Sequence, residues 1–297
     1  MEYIDVSGVV GKSMTYWRSR IFAKLLLSRI PVSYSEWAKV GLFRHGNMDD
    51  FSYAWRILQM HSKILDKSSG WRGLELGPGD GLLSAFLAPA VGATGLSLVD
   101  AGDYAHKDVQ RYLTQIAAFN SANPEMIQPS FEHLNSIESM LSNVGGEYYS
   151  NGLRSLNSLS TASFSLIYSQ AVLEHIRRHE FEATMIECRR LLSEDGVMSH
   201  VVDFKDHLGG KLNNMRISSG LWERDWYAAD SGFYTNRLRL SEILKVCKNA
   251  GFNVEIRNLK RWEQIPIKRS QLAEEFCSLS DDDLLVNEAH LIMTPKT

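Results

Sequence analysis

From residue 71 onward the chain alternates short apolar runs with amphipathic segments, and this alternation restricts the folds open to it. "RGLEL" (72–76), "GLSLVD" (95–100), "FSLIYS" (164–169) and "VMSHVVDF" (197–204) read as strands. Between them, 82–88, 105–119 and about 179–192 read as helices; the last sets Phe181, Met185, Cys188 and Leu192 on one face and stops at Gly196. A later helix carries Leu240, Ile243, Leu244 and Cys247 at i, i+3, i+4 and i+7 and ends at Gly251, and "NVEIRNL" and "EAHLIMT" supply two further strands. Strands alternating with helices predict βαβ units and a mostly parallel sheet. The serine-rich stretch 136–163 is expected to be loop and short helix.

The segment before the alternation differs. Residues 1–66 read as an N-terminal helical cap, with Pro31 breaking one helix and "YAWRILQMHSKIL" (53–65) forming another, and residues 67–297 as the main domain. No glycine, serine or proline linker separates the two, so the cap is expected to pack on the domain. Between Lys12 and Arg44 the cap holds Lys12, Arg18, Arg20, Lys24, Arg29, Lys39 and Arg44 against the single acid Glu36, with Tyr16, Trp17, Phe22 and Trp37 interleaved. Such a segment can rest on an anionic membrane surface, or simply solvate the outer side of a packed helix. The apolar run "IFAKLLLSRI" is too short and too charged to span a bilayer, and a secretory h-region is not visible, so a cytoplasmic protein is expected, with peripheral membrane contact through the basic segment as the alternative to a packed, solvated cap. A net charge of -3 argues against a general nucleic-acid binder. The three cysteines, Cys188, Cys247 and Cys277, form no CxxC pair and are expected to be small core residues.

In a sheet of this kind the ligand lies at the carboxyl ends of the strands. "LELGPGDG" (74–81) occupies that place, as a strand, a glycine turn and the start of a helix. Glycines let backbone approach a ligand closely. The dinucleotide pattern GxGxxG would require glycine at 82, where this chain has Leu82, and Glu75 and Asp80 would repel a pyrophosphate. A cationic ligand suits the charges better, and S-adenosylmethionine (SAM) carries a sulfonium and an ammonium. Asp100, at the end of the next strand, can accept hydrogen bonds from both ribose hydroxyls.

"ELGPGDG" resembles the ExGxGxG motif of class I SAM-dependent methyltransferases, and "LVDAGD" resembles the acidic segment that follows it. The resemblance implies a Rossmann-like α/β fold with a seven-stranded, mostly parallel sheet, helices on both faces and the helical cap in addition. It implies that Glu75, Gly77, Pro78, Gly79 and Asp80 line the methionine end of the cofactor, and that Asp100 and Ala101 line the ribose. "SQAVLEHI" (169–176) is similar to the segment after the fourth strand, which makes Gln170 and Ala171 cofactor neighbours. The order "GLFRHG", "LELGPGD", "VDAGDYA", "AVLEHI", "HVVDFKDH" and "NRLRLSEILKVCKNAGF" is similar to a bacterial subgroup associated with surface-polysaccharide synthesis. That likeness implies O-methylation of a sugar hydroxyl in a glycan or its precursor.

Methyl transfer to an alcohol needs a base, because a neutral hydroxyl is a poor nucleophile at pH 7. "HVVDFKDH" (200–207) supplies candidates: His207 as base, with Asp203 or Asp206 orienting it. A divalent metal on this cluster and a structural capping role for His207 are the competing readings; no metal is assigned, since no compact ligand spacing is forced. His200 is read as an interior histidine. His175 is a further candidate near the acceptor, read first as orienting its loop, and "TNRLR" (235–239) is expected to deliver Asn236 and Arg237, with an internal ion pair as the other role for Arg237. "GLWERDWY" (220–227) reads as part of a lid, with Trp222, Trp226 and Tyr227 facing the acceptor or packing inward. The position after the fourth strand reads "SQAV" without the prolines of nucleobase-amine methyltransferases, so a nucleic-acid substrate is not expected. A non-catalytic SAM-binding or scaffold protein of a glycan-assembly complex is the alternative from another class, and a nicotinamide oxidoreductase is disfavoured by Glu75 and Leu82.

Overall fold

The computed structural model describes residues 16–27, 48–66, 69–127, 130–229 and 232–296. The strands are β1 (Trp71–Leu76), β2 (Ala93–Val99), β3 (Glu147–Tyr149), β4 (Phe164–Gln170), β5 (Leu192–Asp203), β6 (Phe252–Arg261) and β7 (Val286–Pro295). They form one seven-stranded sheet, ordered β3-β2-β1-β4-β5-β7-β6. Neighbours pair in parallel from β3 to β5, whereas β7 runs antiparallel to β5 and β6. The order reverses between β1 and β4, which opens a crevice at their carboxyl ends.

The principal helices are α1 (Tyr16–Leu27), α2 (Phe51–Ser62), α3 (Leu83–Leu87), α4 (Val109–Ala122), α5 (Ile137–Asn143), α6 (Gly152–Ser158), α7 (Phe181–Leu191), α8 (Ser219–Trp222), α9 (Leu240–Asn249) and α10 (Asp281–Leu285). β1 is buried on both faces, apart from the half-buried Arg72, because helices cover both sides of the sheet. One core layer joins α2, α3, α4 and α5 to Leu96, Leu98, Leu166 and Tyr168. The other joins α7 and α9 to Leu74, Ile167, Met198 and Leu291. α2 buries Ala54, Ile57, Leu58 and His61 at i, i+3, i+4 and i+7, and Asp50 caps it by accepting the Tyr53 N–H at 3.0 Å. This helix, read as cap, thus lies in the main core, and the division expected at residue 66 runs through shared packing.

α1 sits elsewhere. Its Ile21 packs with Leu208, Ile217, Trp222, Tyr227, Phe233 and Tyr234, which belong to the long segment after β5. Of the basic side chains expected in the cap, Arg18 is described, and Lys12, Arg29, Lys39 and Arg44 lie outside the described residues. The expected order of elements holds, with one omission. β3, hydrogen-bonded to β2 from Glu147 to Tyr149, lies inside the stretch read as loop and short helix. Cys188 and Cys247 are buried as expected, whereas Cys277 is exposed in a polar turn and is not a core residue. No described helix is long and apolar enough to cross a membrane.

Candidate active site

The glycine turn is shaped by close approaches on three sides. Gly77 and Gly79 adopt φ of +66° and +67°, where an L side chain is strained. The Gly77 N–H donates to the Val99 carbonyl at 2.8 Å, and a Cβ on Gly77 would lie 2.6 Å from Val172. The turn is therefore held between β2 and the segment after β4. Gly81 answers to a different neighbour, since a Cβ there would meet the Met48 carbonyl oxygen at 2.1 Å. Asp80 serves the same contact: it is buried and accepts the Met48 N–H at 3.2 Å. Asp80 was expected at the cofactor and here also ties the residues before α2 to the turn.

Glu75 lies beneath the turn, 1% exposed, and accepts a hydrogen bond from Ser84 of α3. Burial pushes its carboxyl up to about 7; the Ser84 hydroxyl offsets part of this, and Asp100 adds to it. Asp100 accepts the Gly79 N–H at 2.9 Å and the Ala101 N–H at 2.7 Å, one on each oxygen. Burial raises its carboxyl to about 6 against those amide contacts. Gly102 supplies a further amide, and the lone-pair capacity that remains is available to a ribose hydroxyl. Across the crevice, Ala171 turns left-handed at φ +54°, pinned by its N–H donating to the Val201 carbonyl at 2.8 Å. The neighbouring Gln170 side chain is directed at the buried His61. A bare turn and two carboxyls raised by burial suit a ligand that brings cations and hydroxyl donors.

The second half of the site lies at the carboxyl end of β5. His175 donates from Nδ1 to the Tyr234 carbonyl at 2.9 Å, since a carbonyl can only accept. Neutral His175 then bears its lone pair on Nε2, which lies 3.2 Å from Nε2 of His207. On this network His207 donates from Nε2, and its own lone pair falls on Nδ1. The two rings are parallel within 7°, their centroids 4.9 Å apart. His175 and His207 are 32 residues apart, and the meeting of "LEHI" with "HVVDFKDH" is what the expected orientation of His207 by an aspartate did not foresee.

The aspartates are engaged elsewhere. Asp206 is buried, and its oxygens accept the amides of Leu208, at 2.9 Å, and Asn213, so it shapes the loop after His207 rather than the imidazole. Burial raises its carboxyl despite those amides. Asp203 ends β5 with one oxygen on the Lys205 amide and ammonium, each at 2.9 Å. Glu174, not singled out in the sequence, is buried beside it with one oxygen unpartnered among the described residues. Burial drives that carboxyl well above its ordinary range, and the Asp203 charge adds to the effect.

Asn236 and Arg237 also point inward. Asn236 donates its amide to the carbonyls of Leu173 and Ile176, at 2.8 and 3.0 Å, and accepts from the Leu238 N–H, clamping the segment that carries His175. Arg237, at φ +59° and 4% exposed, donates to the carbonyls of Asn214 and Ile217 and to Ser219. It also faces Glu223 at 3.8 Å, which is the internal-pair alternative. Burial lowers its guanidinium to about 10, against the pull of Glu223. In the lid, Trp222 is fully buried and donates to the Thr235 carbonyl at 2.8 Å, Tyr227 is buried, and Trp226 is 55% exposed. His200 is interior as read, its Nδ1 2.7 Å from Ser169 Oγ, and burial lowers it to about 3.

Asp49, Asp80 and His106 bring one ligand atom each within 4.8 Å of one another. Arg111 already pairs with Asp49, so this triad ties α4 to the residues before α2 and needs no ion.

The reversed strand order and the glycine turn fenced by Glu75 and Asp100 define a class I methyltransferase, whose cofactor is S-adenosylmethionine. A family profile described as a methyltransferase domain matches residues 49–255, and the chain belongs to that family. No curated protein matches the chain significantly. Among solved structures it is similar to the YcgJ protein of Bacillus subtilis, at 14% identity and TM-score 0.45, covering 81% of this chain and 98% of that one. It is also similar to a SAM-dependent methyltransferase of Mesorhizobium loti, at 17% identity and TM-score 0.42, covering 80% and 96%. A TehB-like SAM-dependent methyltransferase of Corynebacterium glutamicum follows at 13% identity and TM-score 0.41, covering 84% and 98%.

Proposed function

We propose that this methyltransferase acts on a hydroxyl, and that the hydroxyl belongs to a sugar in a glycan or in its lipid-linked or nucleotide-linked precursor. Bound SAM supplies a methyl carbon already activated by the sulfonium. Glu75 and Asp100 would hold the cofactor's cationic and hydroxyl-bearing ends, with the turn 77–80 and residues 170–172 lining it. His207 removes the hydroxyl proton at Nδ1. The imidazolium so formed donates from Nε2 to His175, whose own proton rests on the Tyr234 carbonyl.

The observation that carries the reading is the chain Tyr234 carbonyl–His175–His207. It selects the His207 tautomer that a base requires to take the proton of a neutral hydroxyl. The glycan part is supported by the resemblance in motif order. The test is incubation of the parent and of His207→Ala with labelled SAM and a panel of sugars, nucleotide sugars and lipid-linked sugars. Label on a hydroxyl, lost in the variant, is the expected result. Label on nitrogen or carbon, or equal turnover by the variant, refutes it.

A further inference from the structure

The loop that begins at His207 meets α1, and at their junction two guanidiniums share one indole. Arg18 lies 5.2 Å from the centroid of the Trp17 ring, and Arg216 lies 5.6 Å from it. They arrive from opposite parts of the chain, one from α1 and the other from the turn that follows the loop. Ile21 brings them together by packing on Leu208 and Ile217.

Each guanidinium is drawn to the indole, but the two like charges repel, and an anion bound between them would relieve that repulsion. The described residues provide none at ion-pair distance. Arg216 spends one donor on Asn213 Oδ1 at 3.1 Å, which orients its plane. The nearest acid, Asp206, has its oxygens on the amides of Leu208 and Asn213. Burial lowers the Arg216 guanidinium from its ordinary range; Asp206 opposes this and Arg18 adds to it. Arg18 is exposed and Arg216 partly so, which leaves most of their N–H donors facing outward.

We propose that Arg18, Arg216 and Trp17 form a binding site for a phosphate ester of the acceptor. Guanidinium forks match phosphate oxygens in geometry and charge, and two of them suit a diphosphate or a phosphodiester better than a carboxylate. The site is tied to the loop that begins at His207, because Asp206, the residue before it, accepts the Asn213 amide and Asn213 in turn accepts from Arg216. The phosphate would thus hold the acceptor while its sugar reaches the base. Only the identity of the phosphate's carrier rests on the hydroxyl-methylation reading; the anion site does not.

Two sources share this chemistry, a nucleoside diphosphate and a lipid headgroup, and two binding assays on the full chain separate them. Uridine diphosphate is titrated at low salt by calorimetry and by Trp fluorescence, and flotation is measured with vesicles rich in phosphatidylglycerol against pure phosphatidylcholine. Parent protein is expected to bind at least one of these anionic probes, with affinity falling as salt rises. The double variant R18Q/R216Q is expected to bind that probe about tenfold more weakly, and R18Q alone about threefold. R257Q removes an equal charge from β6 and is expected to leave binding unchanged. Binding to the nucleotide alone marks a soluble carrier, and binding to anionic vesicles alone marks a headgroup. Parent protein that binds neither probe overturns the proposal, as does a double variant that binds as tightly as the parent. The SAM-induced thermal shift of each variant reports that it is folded. Phosphate binding without turnover on any hydroxyl would leave this site intact and sink only the transfer reading, and turnover without phosphate binding would do the reverse.

Discussion

The two ends of the crevice are built in different ways. The cofactor end is a contiguous turn, residues 75–81, completed by Asp100 at the end of the adjacent strand, and its contacts are mostly backbone amides. The acceptor end is assembled from four separated segments: 174–178 after β4, 203–217 after β5, the lid around 222–237, and α1. There each contact is made by a side chain, mostly to a backbone carbonyl or amide of another segment, and a change in any one segment is felt through the others. A backbone-built site tolerates side-chain changes but not an added Cβ. A side-chain-built site does the reverse.

Four measurements press on this contrast. The largest effect is expected at the acceptor end: His207→Ala should lower kcat about a thousandfold while leaving SAM affinity unchanged, and His175→Phe about tenfold. A parallel loss of SAM binding would mean that the two ends are not separable. At the cofactor end, Gly81→Ala forces a Cβ against the Met48 carbonyl and should cost about 3 kcal/mol of stability, read by urea denaturation, together with most of the SAM-induced shift.

The third concerns pH. Glu75 rises from an ordinary 4.5 to about 7 on folding, so the native chain holds this proton more tightly than the unfolded chain. Stability from this group is full below the unfolded value, is lost as pH climbs through the window up to about 7, and stays at its lower level beyond. Thermal denaturation of the ligand-free chain should follow that slope, and Glu75→Gln should reduce it, leaving the share of Asp100, which rises to about 6. Because cationic groups of SAM prefer the ionised carboxyl, the SAM-induced shift should grow over the same window. A shift independent of pH would remove Glu75 from cofactor recognition. The smallest effect is Ala171→Gly, which frees a left-handed residue of its Cβ and should change stability by no more than about 1 kcal/mol in either direction.

The same contrast explains which features could be read in advance. Glu75, Gly77, Gly79 and Asp100 sit at fixed offsets from strands whose apolar runs announce themselves, so the turn and its acid were legible. β3 was missed because its three residues "EYY" are exposed or half-buried at a sheet edge and show no apolar run. Gly81 looked like a ligand-approach glycine, and its neighbour proved to be the chain's own Met48. Asp206 and Arg237 looked like site residues by type and place. Loop geometry turned both inward, to backbone amides in one case and carbonyls in the other. Glu174 carried no sequence signal apart from its position in "LEHI", between an apolar residue and a histidine.

By itself, the order of residues determined the α/β sandwich, the crevice at its strand ends and the charge of the cofactor it admits. These depend on periodicity and on short-range offsets that a strand and its following turn preserve. Only the tertiary structure decided that His175 partners His207, that the aspartates do not, and that α1 lays Arg18 beside Arg216. Those pairings join residues distant in sequence, and packing around Ile21, Leu208 and Trp222, rather than any local pattern, sets where they meet.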